Sequence, residues 1–79
     1  MTRLFVNIGK SQNVRPGDIL GAIAGESGMA GSLIGSIDMF DNYTFVDVPE
    51  ECAEIVLKAM KHAKIRGKSV HLEVANGGR

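Results

Sequence analysis

Along the chain, apolar residues recur with two different periods, and the switches between them mark out the elements. Residues 3–8 (RLFVNI) alternate and are rich in β-formers, which predicts a strand. A polar loop over residues 9–13 follows. Pro16 suits the first turn of a helix, where its missing N–H costs nothing, and Asp18 in that turn complements the helix dipole. Ile19, Leu20, Ile23 and Ala24 then form one apolar stripe at helical spacing. Gly21, inside this helix, costs about 1 kcal/mol relative to Ala and is expected to mark a close approach to a sheet. The helix should dissolve in residues 25–32 (GESGMAGS), a loop with three glycines in eight residues. Residues 33–40 (LIGSIDMF) predict a second strand and residues 43–48 (YTFVDV) a third, closed by Pro49. A second helix is expected from Glu50 to about Ala63. Its acidic start and basic end complement the dipole, and Ala53, Val56, Leu57, Met60 and Ala63 form its core-facing stripe. A turn at residues 65–68 (IRGK) leads to a fourth strand at residues 70–75.

The resulting order is β-α-β-β-α-β. Two right-handed βαβ crossovers give an α+β, ferredoxin-like fold: a four-stranded antiparallel sheet with both helices on one face. The other face has no helix to cover it. Strand side chains alternate, so parity decides which residues occupy it. Leu4, Val6 and Ile8, Thr44, Val46 and Val48, and Val70, Leu72 and Val74 make the inward rows. That leaves Phe5, Asn7, Tyr43, Phe45 and His71 on the open face. Aromatic side chains among polar ones on a sheet form a stacking surface for unpaired bases. The same rings in cross-strand pairs would also stabilise a sheet by about 0.2–1 kcal/mol each.

Composition narrows the class. Seventy-nine residues predict one domain, with an ordered core at about 3–75 and a flexible tail at 76–79. The 44% apolar share suits a globular chain and excludes a disordered one. No run of about 18 apolar residues exists to span a membrane, and no apolar segment behind a basic start announces a signal peptide. Cys52 is the sole cysteine, so no disulfide framework is expected, which fits a reducing cytoplasm. It reads as a packing thiol early in the second helix. Net charge is zero, but five of the nine basic residues (Lys58, Lys61, Lys64, Arg66 and Lys68) crowd one segment with no acid among them. A neutral total here hides a local basic face. The helix dipole alone explains Lys58, Lys61 and Lys64 better than it explains Arg66 and Lys68.

Two segments resemble the motifs of an RNA recognition motif domain. "LFVNIG" (residues 4–9) is similar to the second ribonucleoprotein motif, with its Asn one place early. "DNYTFVDV" (residues 41–48) is similar to the first motif, matching at Tyr43, Phe45 and Val46. Asp41 stands at the basic position of that motif, Asn42 at the Gly and Val48 at the last aromatic. "IRGKSVHLEVA" (residues 65–75) resembles the usual fourth strand. A narrower match covers about residues 3–75. "LFVNIGKSQNVRPGDILGAI" and "GAIAGESGMAGSLIGSIDMFDNYTFVDVP" resemble the C-terminal RNA-binding domain of DbpA-type bacterial DEAD-box RNA helicases. The resemblance implies an RNA-binding module joined to an ATP-driven helicase core, which it targets to structured, often ribosomal, RNA. It implies a role in ribosome biogenesis, in the cytoplasm. ATP and magnesium would belong to that core and not to this domain.

On this reading Phe5, Tyr43 and Phe45 stack bases, with Asn7 and His71 beside them. Lys10, Lys61, Lys64, Arg66 and Lys68 contact phosphates. Asp38, Asp41, Asp47 and Glu73 near the same face repel phosphate, which makes the sheet a poorer site than usual and shifts weight to the basic flank, Lys10 and Arg15. The alternative is a protein-interaction or dimerisation module on the same fold, including a homodimer through the open sheet. No catalytic role is expected. Neither Gly-Lys-Ser, at residues 9–11 and 67–69, has the earlier glycine of a phosphate loop, and no Asp-Glu-Ala-Asp occurs. His62 and His71 lack partners at metal-ligand spacing.

Overall fold

The computed structural model describes residues 1–75. The elements run β1 (Thr2–Val6), a 3-10 turn at Lys10–Gln12, α1 (Pro16–Ser27), a 3-10 turn at Gly31–Leu33, β2 (Ile37–Met39), β3 (Thr44–Val48), α2 (Glu50–Ala59), β4 (Lys64–Ile65), β5 (Lys68–Ser69) and β6 (Leu72–Val74). The main sheet is antiparallel, in the order β2-β3-β1-β6, and β4-β5 forms a separate hairpin. β1 and β3 are therefore central, as the expected fold requires. The α+β, ferredoxin-like architecture stands.

Alternation builds the core. Leu4, Val6, Val46 and Val48 are fully buried, and they pack in one cluster with Ile19 and Ile23 of α1 and Ala53 and Val56 of α2. Both helices thus cover the same face of the sheet. Thr44 shares the inward row of β3, where its hydroxyl donates to the Ile8 carbonyl at 2.8 Å. It satisfies that carbonyl beyond the end of the β1 ladder. At the start of α1, the Asp18 carboxylate accepts the Arg15 backbone N–H at 3.0 Å; at its end, Gly28 caps with φ 77.

Several boundaries differ from the sequence reading. α1 runs through Ser27, because the αL cap falls at Gly28 and Gly25 remains helical. Gly21 is exposed and a Cβ there would touch nothing, so it marks no packing contact; the helix turns Ile19 and Ile23 inward instead. The second strand begins only at Ile37, since residues 31–33 wind into a 3-10 turn. Tyr43 precedes β3. α2 stops at Ala59. Ala63 is buried as the stripe requires, but from the chain entering the β4-β5 hairpin, where its carbonyl accepts the Val70 N–H. Val70 is likewise buried outside β6. Val74 lies on the helix side of the edge strand β6, yet stays 42% exposed. The tail read at 76–79 lies outside the described residues.

Candidate nucleic-acid interface

The uncovered face of the sheet carries one aromatic cluster. Phe5 on β1 sits directly opposite Phe45 on β3, with ring centroids 6.0 Å apart and edge-on. Tyr43 stacks near-parallel to Phe5 at 5.9 Å and to Phe40 at 4.9 Å. Phe45 meets both Tyr43 and Phe40 edge-on, at 5.5 and 6.0 Å. All four aromatic residues of the chain therefore touch in one patch, and none lies beneath the helices. Phe40 and Tyr43 are the most open of the four, at 43% and 37% exposure. The sequence reading placed Phe5, Tyr43 and Phe45 on this face and passed over Phe40. Parity contained the missing signal: Asp38 is opposite Phe45, and Phe40 follows two residues later on the same side.

Backbone contacts build the exposed corner of this patch. The Lys10 N–H donates to the Phe40 carbonyl and the Ser11 N–H to the Asp41 carbonyl, each at 2.8 Å. The Ser11 hydroxyl donates to the Asn42 side-chain oxygen at 2.8 Å. Gly9 permits this approach: a Cβ there would fall 2.1 Å from the Phe40 carbonyl oxygen and 2.7 Å from the Tyr43 nitrogen. The 3-10 turn after β1 is thereby clamped against the β2–β3 loop, and Lys10 is brought beside Phe40 and Tyr43. Together they line an open concavity of about 390 Å³ with Met39, Asp41 and Asn42.

Away from that corner the face is acidic and internally paired. Arg3 donates from Nε to Asp47 at 3.1 Å and from Nη2 to Asp38 at 3.0 Å, and its guanidinium lies 5.4 Å from the Phe45 ring centre. The hydrogen bond to Asp47, then the charge of that carboxylate, pushes the Arg3 pKa upward. One cation thus answers two carboxylates. Glu73, opposite Phe5, adds a third acid, and His71 Nε2 lies 3.4 Å from it. Asn7 is exposed, but its side-chain oxygen accepts the His71 backbone N–H at 2.8 Å, a latch that joins β1 to the approach of β6.

The expected phosphate-contacting residues do not form one surface. Lys10 stands at the aromatic corner. Arg66, in the β4–β5 turn, reaches a second concavity that Lys10 and Arg15 also line. Lys61, Lys64 and Lys68 are exposed and line neither. No group of three or more metal-ligating side chains occurs among the described residues. No helix there is long and apolar enough to cross a membrane.

Known proteins resemble this chain along nearly its whole length. A family profile, the DbpA RNA-binding domain, matches residues 3–74. The ATP-dependent RNA helicase DbpA of Escherichia coli is 34% identical over 74 residues, covering 94% of this chain and 16% of that protein. DbpA of Bacillus subtilis is 34% identical over 74 residues, covering 94% of this chain and 15% of its own length. An ATP-dependent RNA helicase DeaD of Mycobacterium tuberculosis is 32% identical over 72 residues, covering 91% of this chain and 13% of the relative. The chain thus spans about one sixth or less of the length of these relatives. That family is an RNA-binding one, which agrees with a non-catalytic module carrying bare rings on its sheet. This chain belongs to the DbpA RNA-binding domain family.

Proposed function

We propose that this chain binds RNA through the aromatic face and, within a longer protein, targets a DEAD-box helicase core to structured RNA, with ribosomal RNA as the favoured substrate. The observation that carries the reading is the four-ring cluster on an uncovered sheet, two of its rings open beside a lysine. Unpaired bases would stack on Tyr43 and Phe40, with Phe5 and Phe45 supporting them from the sheet. Lys10 and Arg66 would take phosphates, and Lys61, Lys64 and Lys68 would add solvated contacts at the periphery. Asn7 and His71 would serve at the edge of the face, through the Asn7 amide nitrogen and the exposed His71 ring. ATP and magnesium would act in the helicase core, in the cytoplasm, during ribosome assembly.

The test is binding of a fluorescently labelled hairpin RNA with an unpaired loop, followed by anisotropy. The Tyr43→Ala protein, still folded, should bind more weakly by about 1–3 kcal/mol, the scale of one stacking contact. Unchanged affinity would remove the aromatic face from the site. A homodimer through the same face is the competing reading. It predicts a mass in solution that rises with protein concentration when RNA is absent.

A further inference from the structure

A second open concavity, of about 380 Å³, is lined by Lys10, Asn13, Val14, Arg15 and Arg66. Three cations converge there from two distant parts of the sequence. The connection from β1 to α1 supplies Lys10 and Arg15, and the β4–β5 turn supplies Arg66. Two carboxylates lie near them: Asp18 is 3.8 Å from Arg66 while it accepts the Arg15 backbone N–H, and Asp41 lines the aromatic concavity with Lys10. The groove therefore keeps an excess of positive charge. Arg66 stands in a left-handed conformation, with φ 52, next to Gly67 at φ 80. Such two-residue hairpin turns favour Asn-Gly, and an arginine there carries a backbone cost that Asn would largely avoid. Its guanidinium is held at the groove in spite of the turn chemistry.

Lys10 borders both concavities, so the aromatic corner and the basic groove meet at one residue. The rest of the sheet face is unfavourable to phosphate on both sides of β1. Toward β2, Arg3 is already committed to Asp47 on β3 and Asp38 on β2; toward β6, Glu73 lies opposite Phe5. We infer that an RNA strand bound here stacks an unpaired base on Phe40 and Tyr43, passes its phosphates over Lys10 and continues into the Arg15–Arg66 groove, leaving the β6 side of the sheet uncovered. The inference rests on the RNA-binding reading above and adds the path of the strand.

The experiment uses the full chain and a fluorescein-labelled oligouridylate, with anisotropy titrations at several salt concentrations. Arg15→Gln and Arg66→Asn should each weaken binding roughly two- to fivefold, the upper part of the range of a solvated ionic contact. Each should also flatten the dependence of log affinity on log salt by about 0.7, the value for one phosphate contact on a single strand. Arg66→Asn should leave the unfolding midpoint unchanged or raised, which separates a lost contact from a damaged turn. Arg66→Lys should retain most of the affinity, and Lys64→Gln and Lys68→Gln should lose less than either groove variant. Parent-like binding by the Arg15 and Arg66 variants, with Tyr43→Ala impaired, overturns the path and leaves RNA binding standing. Equal losses at Lys64, Lys68 and the groove overturn it as well, since charge alone would then explain the data. A parent chain that binds neither oligouridylate nor hairpin RNA overturns the RNA-binding reading and this path together.

Discussion

At the scale of single residues, three positions hold the site together, each by a different force. Gly9 acts by what it lacks. Gly9→Ala would drive a methyl into the backbone of the β2–β3 loop, and the flexible end of no side chain is there to yield. We expect a loss of about 1–3 kcal/mol in urea unfolding, as for other overpacked sites, with Lys10 displaced from Phe40 and Tyr43. Thr44 acts through its hydroxyl. Thr44→Val keeps the shape but strips the buried partner from the Ile8 carbonyl, and a buried acceptor left unpaired costs about 1–3 kcal/mol by the same measurement. Phe40 acts through exposed ring area. Phe40→Ala should lower RNA affinity by about 1–3 kcal/mol with little change in unfolding, because the residue lies outside the buried core. A large fall in stability with unchanged affinity would make Phe40 scaffold.

At the scale of elements, the β4–β5 hairpin is the unit to watch. It buries Ile65 against α1, and the flanking Ala63 and Val70 also join the core, while its turn presents Arg66. Two adjacent positive φ angles close that turn, which is the backbone twist that two-residue hairpins require. Gly67→Ala should therefore cost about 1–2 kcal/mol through left-handed strain alone, since open space surrounds the position. The loss would appear in unfolding. RNA affinity, measured where the variant is fully folded, should fall only as far as Arg66 is displaced from the groove. β6 is held through a three-residue ladder to β1, the Asn7 latch and flanking backbone hydrogen bonds from Asn7 to His71 and from Ala75 to Arg3. Its approach lies away from the aromatic corner.

At the scale of the whole molecule, charge is divided by face. Within a net charge of zero, an acidic, Arg3-centred region of the sheet stands apart from a basic groove beyond Lys10. Counterion release makes RNA affinity fall steeply with added salt, whereas a contact between aromatic faces of two copies would not follow that law. Removing the acids should act in the opposite sense: the double variant Asp38→Asn, Asp47→Asn should bind RNA more tightly at low salt. The gain should shrink as salt screens charges separated by about 10 Å at 0.1 M. An unchanged affinity would mean that phosphates stay far from the sheet altogether.

How much of this was visible in the chain can be followed residue by residue. The alternation of Leu4, Phe5 and Val6, and of Thr44, Phe45 and Val46, assigned each side chain to a face before any fold was known, because period two is a property of neighbouring residues on one strand. The helical stripes placed Ile19, Ile23, Ala53 and Val56 inward by the same local logic. Folding decided what neighbours in sequence cannot. It set the register that puts Arg3 between Asp38 and Asp47, and the clamp at Gly9 that draws Phe40 and Lys10 to Tyr43. It also set the hairpin that carries Arg66 to Lys10 and Arg15 while leaving Lys61, Lys64 and Lys68 elsewhere. Period and propensity are short-range and survive in the sequence as pattern. The meeting of loops depends on chain closure and strand register, which leave no repeating mark along it.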